Sequence, residues 1–132
     1  NADSVRPTGR GAAGISGISL GKDSDAIYFG CTGPDAIVVT AANNSDALPG
    51  TDPGSAKASQ LAEFPSKGRS TGGVRAQKFI RNEDQLYFAW VGSGDALAAT
   101  SDGKPIELNL ELARRDASGT KIDSAIGGLG SK

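Results

Sequence analysis

The sequence contains no histidine and no methionine, and it has a single cysteine, Cys31. Without histidine, the chain cannot form Ser-His-Asp or Cys-His catalytic groups, histidine metal sites or a histidine pH switch. One cysteine excludes an internal disulfide, which weakly favours a reducing compartment. The apolar runs are also short, and none approaches the roughly 18 residues of a membrane-spanning helix.

Aromatic residues are scarce, at 5% of the chain, while apolar residues of all kinds make up 37%. A chain of 132 residues buries roughly 68% of its unfolded surface, so its core must consist mainly of valine, isoleucine, leucine and alanine. Nineteen glycines and the lack of helical periodicity indicate short strands between turns. We therefore expect an all-β fold.

The net charge of −1 hides an uneven distribution. Residues 57–81 contain six cations and one carboxylate, so the remainder of the chain is acidic. This asymmetry predicts a basic stripe on an acidic body, as in many polyanion-binding proteins, although a solvated charged face would have the same charges. The six cations are Lys57, Lys67, Arg69, Arg75, Lys78 and Arg81.

One phrase occurs twice: residues 9–15 read Gly-Arg-Gly-Ala-Ala-Gly-Ile, and residues 68–74 read Gly-Arg-Ser-Thr-Gly-Gly-Val. Ile-Tyr-Phe at 27–29 likewise matches Leu-Tyr-Phe at 86–88, which indicates one unit of about 60 residues used twice. We expect a tag or linker at 1–4, a first repeat at 5–62, a second repeat at 63–126 with a degenerate third start near 114–120, and a flexible tail at 127–132.

Within each repeat the apolar residues alternate or form short runs, as strands do. Ser101–Lys104 is expected to form a type I′ hairpin turn because Asp-Gly suits positive φ. Residues 48–59 contain two Pro-Gly breaks and are expected to be irregular. The pattern fits about two four-stranded blades of a propeller-like array, and a duplicated sandwich or barrel is the alternative. Strands are expected at 15–20, 26–31, 36–41, 74–80, 86–91, 95–100 and 106–110.

Other candidate groups point to packing or to solvent. Tyr28, Tyr87 and Trp90 fall in apolar strands and are expected in the core, with Cys31 as a small core residue. Residues 9–14 spell G-x-G-x-x-G, but a dinucleotide site needs a helix after the glycines and this stretch is not helical. Adjacent carboxylates lack a third ligand in register, so we expect no metal site and no catalytic residue in this chain.

The repeated turn is the strongest functional signal. An arginine fork can bridge phosphate oxygens, and the backbone amides of a tight glycine turn add hydrogen-bond donors. The alternative is that the arginine packs across a turn between blades and that the glycines only allow this packing.

With their neighbours, the two phrases resemble blade starts. Residues 6–18 and 63–74 are similar to those in the C-terminal domain of the A subunits of bacterial type IIA topoisomerases, the family that includes DNA gyrase and topoisomerase IV. Residues 97–106 resemble that family's hairpin with its Thr-x-x-Gly turn. The resemblance implies a partial β-pinwheel whose blades exchange strands, in a cytoplasmic, nucleoid-associated protein. It implies double-stranded DNA and the other topoisomerase domains and subunits as partners, with no cofactor in this domain and no membrane contact.

In that family the cleaving tyrosine and the metal site lie in other domains, so Tyr28 and Tyr87 inherit no catalytic role. The resemblance places DNA contacts at Arg10, Lys67 and Arg69, and the basic stripe adds Arg75 and Lys78. Residues 70–72 lack the consecutive cations of the gyrase-specific box, which favours a topoisomerase IV-like or divergent paralogue. The alternative function is a structural or subunit-docking repeat module that has lost DNA binding, in keeping with a sequence pI of about 5.3.

Overall fold

A computed structural model of the chain describes residues 3, 5–48 and 50–131. Its regular structure is almost entirely strand, in two antiparallel sheets, which confirms the all-β prediction. No helix in these ranges is long and apolar enough to cross a membrane. The strands are β1 (Ile37–Asn43), β2 (Ser55–Gln60), β3 (Gln85–Gly92), β4 (Ala96–Ala99), β5 (Pro105–Ile106), β6 (Thr120–Lys121) and β7 (Gly128–Ser131), with a 3-10 helix at Leu61–Glu63.

The chain divides into two compact units. Unit 1 consists of Asn1–Asp25 with Ser66–Gly73, and unit 2 consists of Ala26–Pro65 with Val74–Lys132. Each unit therefore takes residues from both predicted repeats, and all seven strands lie in unit 2. The repeat boundaries stay a prediction, and three residues of the predicted tag or linker, Asn1, Ala2 and Ser4, lie outside the described residues.

The larger sheet of unit 2 has the strand order β3-β1-β2-β6. Its centre is β1, which reads Ile-Val-Val-Thr-Ala-Ala-Asn, and whose β-branched residues suit a pleated strand. Val39 of β1 lies opposite Ala58 on β2 and opposite Trp90 on β3. The β1–β2 hairpin of the first repeat is thus completed by strands from later in the chain.

The smaller sheet has three strands in the order β5-β4-β7, which repeats the β2-β1-β3 part of the larger, four-stranded sheet. Its β4–β5 hairpin belongs to the second repeat, and β7 from further along the chain pairs with β4 as β3 pairs with β1. Both sheets therefore combine a hairpin of one repeat with a later strand, in agreement with the strand exchange that the family resemblance implies.

The core is built from small and aliphatic side chains, as the composition requires. Ala41, Ala56 and Ile126 are buried at its centre, with half-buried Tyr87 and Phe88 packed against them. The Tyr87 hydroxyl donates to the Pro53 carbonyl at 3.2 Å and accepts from the Ile126 amide at 3.1 Å. This pairing satisfies the polar end of a tyrosine whose ring fills the core.

Strand β2 overturns the expectation that residues 48–59 form an irregular connection. Its sequence, Ser-Ala-Lys-Ala-Ser-Gln, contains no β-branched or aromatic residue, so propensity gave no signal. Its small side chains instead suit a position buried between other elements. The strand follows Gly54, whose φ is +67° and where an added Cβ would lie 1.8 Å from the Ala42 carbonyl oxygen.

Several predicted strands are wrong. Residues 15–20 and 74–80 each contain a single bridge, at Ile18 and Lys78, and residues 26–31 lie outside the strands. The side chain of Phe29 is 93% exposed, and Tyr28 and Cys31 are exposed as well, so neither is a core residue. The cause is the lack of a strand to pair with. The matching strand β3 pairs with β1 of the preceding repeat. Among the described residues no strand precedes residues 26–31, because β1 is the first strand.

Three other predictions change in part. The expected strand at 106–110 is reduced to β5, and residues 128–131, expected in a flexible tail, form strand β7. The hairpin at 101–104 is confirmed by the bond from the Thr100 amide to the Lys104 carbonyl, at 2.8 Å. Its predicted type I′ geometry is wrong, because Gly103 has a φ of +83° while Asp102 does not enter the left-handed region.

Candidate nucleic-acid interface

The two repeated phrases form turns with an arginine in the second position. In the first, the Ala12 amide donates to the Gly9 carbonyl at 3.0 Å, with Arg10 at the tip. In the second, the Thr71 hydroxyl donates to the Gly68 carbonyl at 2.6 Å, and Ser70 adopts a left-handed φ of 57°. Both arginines are exposed. Each turn therefore presents a guanidinium group to solvent.

Unit 1 brings the second turn against the segment that follows the first. Ile18 and Thr71 form a parallel bridge, and the Ser19 amide donates to the Thr71 carbonyl at 3.1 Å. The Ser70 amide and hydroxyl donate to the carbonyls of Gly17 and Ser16 at 3.1 and 3.2 Å. The two predicted arginine turns thus belong to one compact unit, although they are distant in sequence.

The turns of unit 1 carry positive charge without nearby carboxylates in sequence. Residues 5–21 and 66–73 include four cations, no aspartate and no glutamate. All four side chains are exposed, and the ion pairs found among the described residues join Lys104 to Asp102 and Arg114 to Asp116. The positive charge is therefore available to an external anion. The four cations are Arg6, Arg10, Lys67 and Arg69.

The glycines of these turns are not required by packing among the described residues. A Cβ added at Gly9, Gly11 or Gly72 would meet no atom within 4 Å, whereas Gly14 is required by its backbone conformation, with a φ of +84°. This finding bears against the alternative in which glycine merely lets the arginine pack inside the protein. Bare backbone next to exposed cations instead lets a flat or rigid partner approach the amides closely.

The remaining two predicted contacts lie in unit 2. Arg75 and Lys78 are both exposed, and the Lys78 amide donates to the Ala117 carbonyl at 3.0 Å. Between them, the side chain of Gln77 is buried and holds the segment on the larger sheet. The structure therefore places Arg10, Lys67 and Arg69 in one unit and Arg75 and Lys78 in the other.

A buried polar chain fixes the segment that carries Arg75 and Lys78. The Thr40 hydroxyl donates to the Gln77 side-chain oxygen at 2.8 Å, and the Gln77 amide nitrogen donates to the Ser55 hydroxyl at 3.0 Å. Ser55 in turn donates to Glu83 at 2.5 Å. Because each buried group has a partner, the segment is held in one position on β1 and β2.

The prediction that Lys57 belongs to the basic stripe is wrong, because its side chain is only 3% exposed. Its ammonium group donates to the Ser59 hydroxyl at 2.9 Å and to the carbonyls of Arg114 and Arg115 at 3.0 and 2.5 Å. Burial lowers the pKa of Lys57, and the carboxylates of Glu63 and Asp116 oppose this shift. Lys57 is thus a structural cation inside unit 2 and not a surface contact.

A third arginine turn was missed as a candidate site. The Ala117 amide donates to the Arg114 carbonyl at 3.0 Å, which again places an arginine, Arg115, in the second position. The Arg115 amide donates to Glu63 at 2.7 Å, and its guanidinium group donates to the Arg75 carbonyl. Arg-Asp-Ala-Ser-Gly-Thr at 115–120 was the available sequence signal, but it lacks the glycine that precedes the first two arginines.

Comparison with known proteins agrees with the motifs. The family described as the DNA gyrase C-terminal domain, beta-propeller, matches residues 1–27 and 51–84, which contain all five predicted contacts. The DNA gyrase A subunit of Streptomyces coelicolor is 27% identical over 125 residues, covering 91% of this chain and 14% of that protein. Topoisomerase subunit TopoM of Mycolicibacterium smegmatis is 33% identical over 86 residues, covering 65% of this chain and 11% of that protein.

These matches and the two strand-exchanged sheets make the chain similar to the β-propeller-like domains of type IIA topoisomerases. The similarity to the C-terminal domains of the A subunits of these enzymes agrees with the resemblance seen in the repeated turns. The chain spans a small fraction of each relative, 14% and 11% of their lengths.

Proposed function

We propose that this chain is the non-catalytic DNA-binding domain of a type IIA topoisomerase, in its A subunit, where it contacts the backbone of duplex DNA without reading its sequence. The observation that carries the proposal is the pair of exposed arginine turns in unit 1, which lie in segments without carboxylates. Cleavage of DNA then takes place in other domains of the enzyme.

The chemistry of the turns suits phosphate. A guanidinium group offers a planar fork of donors to phosphate oxygens, and the open glycine backbone adds amide donors at close range. Contacts of this kind position a duplex but carry no sequence information, since every nucleotide presents the same phosphate. The domain should therefore bind duplexes of different sequence with similar affinity.

Within the whole enzyme, the domain would hold part of a duplex while other domains and subunits carry out strand passage. These partners, and a cytoplasmic place at the nucleoid, follow from the family and from the DNA-binding role. The domain itself needs no cofactor to bind DNA, because hydrogen bonds and charge neutralisation supply the binding free energy.

A docking module without DNA affinity is the rival function. Its specific support is the burial of Lys57, which removes one of six cations from the predicted basic stripe. The net charge of −1 points the same way. This rival predicts that no complex with duplex DNA forms even at low salt.

Fluorescence anisotropy with a short labelled duplex separates the two functions. We expect binding at low salt with a log–log salt slope of about −3 to −4, equivalent to three or four neutralised phosphates. Replacing Lys67, Arg69, Arg75 and Lys78 by alanine should abolish this binding. Lys104→Ala serves as the control, because Lys104 is an exposed cation already paired with Asp102 at 2.9 Å. Unchanged affinity of the fourfold variant would reject this set of contacts.

A further inference from the structure

A backbone arrangement of unit 1 recurs in unit 2. In unit 1 the Ser19 amide donates to the Thr71 carbonyl at 3.1 Å, and in unit 2 the Lys78 amide donates to the Ala117 carbonyl at 3.0 Å. The repeats align Ser19 with Lys78, and superposing the arginine turns aligns Thr71 with Ala117. Both bonds lie next to a parallel bridge, Ile18 with Thr71 and Lys78 with Ser118. Unit 2 therefore holds a second copy of the arrangement that presents Arg69.

The second copy contains more cations than the first, although Asp116 and Glu63 lie beside them and Arg115 is half-buried. Its turn carries two adjacent arginines, and the Arg114 side chain is 84% exposed. Arg115 lies beside Arg75, because its guanidinium group donates to the Arg75 carbonyl. Lys78 is exposed on the paired segment. Four cations of unit 2 are thus connected through contacts between residues 75–78 and 114–118.

The third turn is also held rigidly. The buried Lys57 ammonium binds the carbonyls of Arg114 and Arg115, while Glu63 accepts the Arg115 amide at 2.7 Å. Glu63 is thereby engaged with backbone, and the Arg115 guanidinium group keeps donors beyond the one used by Arg75. A turn that is already ordered loses little conformational entropy when a ligand binds.

We propose that the third arginine turn is a second phosphate-binding site for duplex DNA, in which Arg114 and Arg115 bind backbone phosphate beside Arg75 and Lys78. This inference rests on the proposed DNA-binding function and extends it to a site centred on residues outside the predicted set. Asp116 lies 3.9 Å from the Arg114 side chain, a long and exposed contact that a phosphate group can replace at little cost.

The test compares two exposed cations that each have a carboxylate neighbour. In Arg114→Gln, we expect duplex affinity at low salt to fall about three- to tenfold and the salt slope to decrease by about one. In Lys104→Gln, whose Asp102 partner is 2.9 Å away, both quantities should stay as in the unmodified chain. Thermal melting checks that both variants remain folded.

Two outcomes of these binding measurements decide between the proposals. If the unmodified chain does not bind duplex at low salt, the proposed function fails and this site fails with it. If the chain binds and Arg69→Gln weakens binding while Arg114→Gln does not, the second site is overturned and the proposed function stands. Hydroxyl-radical footprinting gives an independent reading, since the second site predicts a protected backbone stretch that is lost in Arg114→Gln and retained in Arg69→Gln.

Discussion

The buried ammonium group of Lys57 donates a 2.5 Å hydrogen bond to the carbonyl oxygen of Arg115. A lysine that the sequence places in a basic stripe therefore holds an arginine turn from the inside. Its neighbours on β2 are small, so the long side chain can lie buried while the ammonium group reaches three acceptors.

Replacing Lys57 by methionine should destabilise unit 2 without removing a surface charge. The substitution keeps an unbranched side chain but leaves buried acceptors without a donor, which costs about 1–3 kcal/mol of unfolding free energy. Urea unfolding followed by circular dichroism measures the loss. Lys104→Met is the matched control, because Lys104 is exposed, and its stability should change by less than about 0.5 kcal/mol.

The same lysine predicts a pH dependence. Burial lowers the pKa of Lys57 below 10.5, so between the lowered pKa and 10.5 the unfolded chain binds more protons than the folded chain. The stability of the unmodified chain relative to Lys57→Met should therefore rise as pH increases through that window and level off above it. A difference that falls with pH would mean that the folded state favours the charged lysine.

Phe29 and Phe88 occupy matching positions in the repeats but different environments. Phe88 packs against the core, whereas Phe29 is 93% exposed. We expect Phe88→Ala to lower the unfolding free energy by about 2 kcal/mol or more and Phe29→Ala to change it by less than about 0.5 kcal/mol. Thermal or urea unfolding compares the two, and equal losses would show that residues 26–31 form a packed strand after all.

Substitutions at two glycines, Gly54 and Gly72, test protein stability and DNA binding separately. Gly54→Ala should cost at least about 2 kcal/mol, because φ is +67° and the new Cβ would collide with the Ala42 carbonyl. Gly72→Val should leave stability nearly unchanged, since no atom lies within 4 Å of the added Cβ. It should weaken duplex binding roughly fivefold, about 1 kcal/mol, by blocking close approach to the turn. Full DNA affinity in Gly72→Val would show that the glycine backbone is not part of the interface.

The sequence predicted the central strands because their apolar patterns are strong. β1 and β3 are rich in β-branched and aromatic residues, and each lies close to its expected position. β2 was not predicted, because serine, alanine and lysine are typical neither of strands nor of buried positions. Its position is set by the hairpin with β1 and by close packing, which are tertiary effects.

The arginine turns were predicted because the repeat marks them twice. The segments that these turns contact could not be predicted from the sequence. The hydrogen bonds from Ser19 to Thr71 and from Lys78 to Ala117 join segments that are distant along the chain. The exposure of residues 26–31 could not be predicted from the sequence for the same reason. Their composition suits a buried strand, but a strand needs a neighbouring strand to bond its backbone.

The most direct measurement is the salt dependence of duplex binding for a double variant of the two turns of unit 1, Arg10→Gln with Arg69→Gln, beside Arg10→Lys with Arg69→Lys. If both guanidinium groups bind phosphate, the glutamine pair should reduce the log–log slope by about two, while the lysine pair keeps the slope because its charge is retained. An unchanged slope in the glutamine pair, with the protein folded and still bound to DNA, would contradict the assignment of these turns.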